Sequence, residues 1–173
     1  MLVIHPTDKS TEFLCRVYNN RKDCEVIRSG HCSASKLRAK IKSHDKIVMM
    51  GHGTENGLLR TPIDGSLLIS CKFVQILREK ECFFVWCDAD KFVRKYKLKG
   101  FATGMIISDS CEAMQLKVPF SKMSLDQSNA LFAKIIADNI TNNKKELFED
   151  LSKRYAANNN SVLEFNKNNF FTF

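Results

Sequence analysis

The feature that most constrains this chain is a recurrence of short, almost wholly apolar runs: Leu2-Val3-Ile4, Val26-Ile27, Ile47-Val48-Met49-Met50, Cys82-Phe83-Phe84-Val85-Trp86 and Met105-Ile106-Ile107. Continuous apolar runs of this length, without polar–apolar alternation, mark strands covered on both faces, as in a parallel sheet. Helical periods lie between them. Phe13, Leu14, Val17 and Tyr18 share one face. Ala34, Leu37, Arg38 and Ile41 follow the cap Ser33, and Phe73, Val74 and Leu77 follow Ser70. Ser124-Leu125-Asp126-Gln127 reads as a capping box opening a helix with the stripe Leu125, Phe132, Ile135, Ile136 and Ile140. Leu147, Phe148, Leu151 and Tyr155 mark a last helix. The order is βαβαβ, a Gly-rich excursion, αβαβ and two terminal helices. It predicts an α/β three-layer sandwich, a mainly parallel sheet with helices on both faces.

The 173 residues show no repeat, linker or composition break before Asn158-Asn159-Asn160, so one domain is expected over 1–173, with 156–173 as an Asn- and Phe-rich tail. Apolar content of 44% with only three prolines excludes disordered and collagen-like classes. No apolar run approaches a membrane span, and Met1-Leu2-Val3-Ile4-His5 lacks a basic leader and a cleavage site, so a cytoplasmic chain without membrane contact is expected. Seven cysteines, an odd number without framework spacing, read as reduced thiols. His31-Cys32 with Cys24 is the best metal candidate, but with no Cys-x2-Cys or His-x3-His spacing no metal site is expected.

The net charge is +8, and Lys91, Arg94, Lys95, Lys97 and Lys99 cluster in one helical stretch. Without stacking aromatics or a recognition motif, that stretch reads as a solvated face, and nucleic acid is not an expected partner. Phe170, Phe171 and Phe173 close the chain. They suggest docking on the domain itself or on a second copy in a homo-oligomer, the alternative being a frayed end.

Two strand ends carry chemistry. Ligands of open parallel sheets bind at the carboxyl edge. There the third strand runs into Gly51-His52-Gly53-Thr54-Glu55-Asn56-Gly57, and the fourth into Trp86-Cys87-Asp88-Ala89-Asp90 followed by a helical pattern. A thiol placed before a helix N-terminus is expected to favour thiolate. His52 on a neighbouring strand supplies a base, and Cys with His is an activated nucleophile. Gly53 lets its N–H approach a carbonyl closely, so the Gly53 and Cys87 N–H groups form a candidate oxyanion hole. Carboxylates at strand ends are Asp8, Asp88, Asp109 and Glu112. Asp8 and Asp88 stand where N-caps belong. Ser108-Asp109-Ser110 ends the fifth strand beside the presumed cleft, which makes Asp109 the candidate specificity residue for a basic side chain.

The order strand-His-Gly, helix, apolar strand-Cys resembles the caspase-like cysteine peptidases, a group that includes metacaspases, clostripains, gingipains, legumains and separases. The resemblance covers roughly residues 1–140. It implies His52 as general base and acid, Cys87 as nucleophile, Gly53 N–H in the oxyanion hole, a peptide or protein substrate and no cofactor. The stretch Gly57-Leu58-Leu59 through Ser66-Leu67-Leu68-Ile69 looks like the small hairpin those folds insert after the His. The chain departs from caspases in the short, largely helical segment after Cys87, so activation by linker cleavage is not expected. It departs from metacaspases in Val85, where they tend to carry an Asp. The alternative expectation is a catalytically inactive domain of this fold that binds a nucleotide, another small molecule or a protein. Gly51-x-Gly53-x-x-x-Gly57, however, lacks the spacing and the Lys-Ser/Thr of a P-loop.

Overall fold

The apolar runs become strands whose alternate side chains enter two separate cores. A computed structural model describes residues 1–141, 144–157 and 160–173; Asn158 and Asn159 of the Asn-rich stretch lie outside the described residues. Strands β1 (Leu2–Ile4), β2 (Glu25–Ile27), β3 (Lys46–Met50), β7 (Glu81–Val85), β8 (Gly100–Thr103) and β9 (Phe170–Thr172) form one sheet in the order β2-β1-β3-β7-β8-β9. The first five run parallel, and β9 closes the edge antiparallel to β8. A second, three-stranded antiparallel sheet, β4 (Gly53–Thr54), β5 (Gly57–Leu59) and β6 (Leu67–Ile69), follows β3 directly.

One face of the main sheet presents Leu2, Ile4, Ile47, Met49, Cys82, Phe84 and Ala102 to α1 (Ala34–Lys42), α2 (Val74–Leu77) and α3 (Ala89–Tyr96). The other presents Val3, Val48, Met50, Phe83, Val85 and Phe101 to the 3-10 turn Glu12–Val17, α5 (Lys122–Asn139), α6 (Lys144–Ala156) and α7 (Ser161–Lys167). Burial on both faces is why these strands read as unbroken apolar runs.

Several boundaries differ from the sequence expectation. The fifth parallel strand is Gly100–Thr103, not Met105-Ile106-Ile107. A side chain at position 100 would sit 2.3 Å from the Cys82 carbonyl oxygen, so glycine is what lets β8 close on β7. Ile107 goes instead to a small core with Ala113 of α4 (Ser110–Gln115), Leu125 and Val162. Phe13 and its neighbours form a 3-10 turn, not an α-helix. α5 begins one turn early, behind Ser121, whose side chain and that of Ser124 cap each other's backbone N–H groups. Its expected stripe is buried throughout.

The tail docks on its own domain. Phe170 is buried, stacked 5.7 Å from Phe132 and edge-on 5.2 Å from Tyr155. Phe171 and Phe173 flank the Arg94 guanidinium. The aromatic surface that suggested a second copy is thus covered, in the main, within the chain. Among the described residues, no helix is long and apolar enough to cross a membrane.

Candidate active site

The carboxyl ends of the adjacent strands β3 and β7 are tied by the Gly51 N–H donating to the Val85 carbonyl at 3.1 Å. His52 and Cys87 follow these two ends, and both line one small cleft, walled also by Phe13, Ile106, Ser108 and Phe132. Topology therefore brings the two sequence candidates together.

Gly53 opens β4. A Cβ there would lie 2.1 Å from the Trp86 ring, so only glycine passes beneath the indole, whose N–H donates to the Thr54 carbonyl at 3.0 Å. The Leu59 N–H donates to the His52 carbonyl, which makes 52 and 59 a hydrogen-bonded pair and 53 and 58 the next, non-hydrogen-bonded one. The Gly53 N–H therefore faces away from β5. The Cys87 N–H donates to no acceptor among the described residues, the neighbouring turn being closed by Ala89 N–H on the Trp86 carbonyl.

His52 has partners that its local sequence does not show. Its Nε2 lies 2.7 Å from Ser10 Oγ and 3.2 Å from Asp8 Oδ1, and the Ser10 hydroxyl donates to the same Asp8 oxygen at 2.5 Å. With the Ser10 proton committed to Asp8, Nε2 is the donor in this chain, and the Nδ1 lone pair is left as the base. Asp8 is therefore not a helix cap. It is the acceptor end of a His52–Ser10–Asp8 relay, and the Ser10 hydroxyl, the Ser10 backbone N–H and His52 hold its carboxyl below the ordinary range. The sequence reading of Asp8 as an N-cap gives no sign of its meeting with His52, because the two lie 44 residues apart.

Cys87 corrects a second expectation. Burial raises its thiol to about 12, and the carboxylates of Glu112, Asp88 and Asp109 add to the rise. The Sγ lies 4.0 Å from the Ile106 carbonyl oxygen and 4.0 Å from Glu112 Oε1. No hydrogen bond joins it to His52 among the described residues. At rest the cysteine is a protonated thiol beside, not bonded to, its candidate base.

The remaining carboxylates are assigned by geometry. Asp109 is the N-cap of α4, accepting the Glu112 N–H at 2.9 Å in a capping box, and its carboxylate is not among the groups lining the cleft. Position 109 is a capped helix start, not the open strand end that the sequence suggests for a specificity residue. Asp88 takes the N-cap position in the left-handed region (φ 63°) without capping, and pairs with Lys91 at 3.0 Å. Glu112 Oε2 accepts Ser108 N–H, Ser108 Oγ–H and Asp109 N–H at 2.7, 3.0 and 3.2 Å, which fixes its other oxygen near Cys87. Lys91, Arg94, Lys95, Lys97 and Lys99 are all exposed, with Lys91 and Arg94 paired to neighbouring carboxylates.

Beside the cleft, at the ends of β1 and β2, His5 is wholly buried, its ring nitrogens 3.0 Å from Tyr18 Oη and 3.3 Å from Thr11 Oγ1. Burial first, and then the Arg28 cation, lower its pKa to about 4. Arg28 also donates to Cys15, Tyr18 and Glu12. This is a satisfied structural network. Among the described residues no group of three or more His, Cys, Asp or Glu is placed to hold a metal ion. Comparison with protein-family models and with curated proteins finds no match to this chain.

Proposed function

We propose that this chain is a caspase-like cysteine hydrolase that cleaves peptide bonds through Cys87 and His52. The observation that carries the reading is the shared cleft: a cysteine and a histidine from the carboxyl ends of adjacent parallel strands, with a Cys87 N–H that meets no acceptor among the described residues. The small antiparallel sheet that follows His52 directly, where the resemblance expects a hairpin, supports the same reading.

The Cys87 sulfur attacks the scissile carbonyl carbon, forming the S–C bond while the thiol proton passes to His52 Nδ1. The oxygen, now negative, is received by the Gly53 and Cys87 N–H groups. The C–N bond then breaks, the leaving amine taking the proton from His52. Water, deprotonated by the same nitrogen, hydrolyses the thioester and restores the thiol. Ser10 and Asp8 hold the ring in the tautomer this requires.

One observation favours a second reading, a binding module of the same fold: the resting thiol is raised to about 12 and is not bonded to His52. A fluorogenic peptide library separates the two. Cleavage abolished by both Cys87→Ala and His52→Ala supports the hydrolase. Absence of cleavage, together with a peptide that binds wild type and Cys87→Ala equally, supports the module.

A further inference from the structure

The wall of the cleft that meets the Cys87 sulfur is the segment 104–112, and it is held from the C-terminal end of the chain. Asn166 of α7, 1% exposed, clamps Ile107 at both ends: its Oδ1 accepts the Ile107 N–H at 2.7 Å, and its Nδ2 donates to the Ile107 carbonyl at 2.9 Å. The same Nδ2 reaches Ser128 Oγ at 3.0 Å. Asn129 of α5 holds the Ser108 carbonyl at 2.8 Å, and the Asn169 carbonyl accepts the Gly104 N–H at 2.8 Å. Ile106, whose carbonyl faces the sulfur, is the residue immediately before the clamp. Three hydrogen-bonded anchors thus fix this segment, in which Ile106 and Ile107 pack into different cores, and two of the anchors belong to residues 160–173.

We propose that Asn166 is a positioning residue for Cys87: by clamping Ile107 it keeps the 104–112 wall closed on the thiol, and releasing that clamp converts a resting cysteine into a reactive one. The inference rests on the reading of Cys87 as the nucleophile. Its physical basis is that the wall supplies both the burial and the nearest negative charge. Glu112 and Asp109 come from α4, Asp88 from the start of α3, and His52 stands at the end of β3 in the same cleft. Withdrawing the wall admits water and moves Glu112 and Asp109 away, and both changes favour thiolate.

The test is the rate of iodoacetamide alkylation of the native full-length chain, resolved by site with mass spectrometry over a range of pH. Alkylation needs no substrate, so this proposal and the peptidase reading fail separately. In Asn166→Ala, Cys87 labelling at pH 8 should rise severalfold, with the midpoint of its pH profile lowered, because each pKa unit changes the thiolate fraction about tenfold. Buried Cys82 should stay unreactive. A Cys87 rate and profile matching wild type would overturn the proposal, as would Cys82 labelling in step with Cys87, which marks general unfolding. Should Asn166→Ala not fold, the wild type decides. Amide exchange at Ile107 and alkylation at Cys87 should then respond identically to sub-denaturing urea, and different responses would overturn the proposal.

Discussion

The sharpest prediction concerns Glu112, whose carboxylate oxygen lies 4.0 Å from the Cys87 sulfur. With burial, and then Glu112, raising the thiol to about 12, thiolate is a minor species at pH 8. A unit charge at about 4 Å is worth about 1 kcal/mol in water and about 4 kcal/mol at the effective dielectric of a partly buried pair. Those bounds correspond to about 0.7 and 3 pKa units. Glu112→Gln removes the charge and keeps an acceptor for the Ser108 and Asp109 N–H groups. Thiolate becomes more abundant, but each thiolate is less nucleophilic as its pKa falls, with a Brønsted coefficient near about 0.5. The net acceleration of Cys87 alkylation is therefore about twofold to thirtyfold, with the pH midpoint lowered. Site-resolved iodoacetamide labelling from pH 7 to 10 measures both quantities, and Cys82 reports on integrity. An unchanged Cys87 profile in a folded Glu112→Gln protein would refute the electrostatic account of this thiol.

Other consequences are equally direct. Ser10→Ala cuts the link between His52 and Asp8, and under the hydrolase reading should lower kcat about ten- to a hundredfold with little change in KM; unchanged kcat would remove the relay from the mechanism. His5 is neutral in the fold at about 4 against 6.5 unfolded, so its contribution to stability is complete above pH 6.5 and is lost as pH falls toward 4. That loss is about 3 kcal/mol, and urea midpoints across this range should flatten in His5→Gln relative to wild type. Phe170→Ala should cost about 3–5 kcal/mol by emptying the stack between Phe132 and Tyr155; a shift in the urea midpoint equivalent to under about 1 kcal/mol would mean the tail is not part of the core. Gly53→Ala should destabilise the β4–β6 sheet and quench the protection of Trp86 fluorescence from iodide, since Trp86 has to yield to the new methyl group.

The α/β class and the placement of His52 and Cys87 at adjacent strand ends were legible because both follow from local pattern. Buried strands of a parallel sheet must be apolar on both faces, and consecutive βα units place successive strand ends along one edge. The helix stripe Leu125–Ile140 was legible for a similar reason, because amphipathic periodicity is written in the sequence itself. Tertiary structure decided what long-range contact controls. Which apolar run joins the sheet depended on the close approach of Gly100 to Cys82, so Met105-Ile106-Ile107 became a cleft wall. Whether Cys87 is thiolate depended first on its burial and then on Glu112, distant in sequence and placed by its own capping box. Asp8 met His52, and Asn166 met Ile107, across separations of 44 and 59 residues. Hydrogen bonds of that kind leave no periodicity to read, because a polar side chain finds its partner only after the cores on both faces of the sheet have formed.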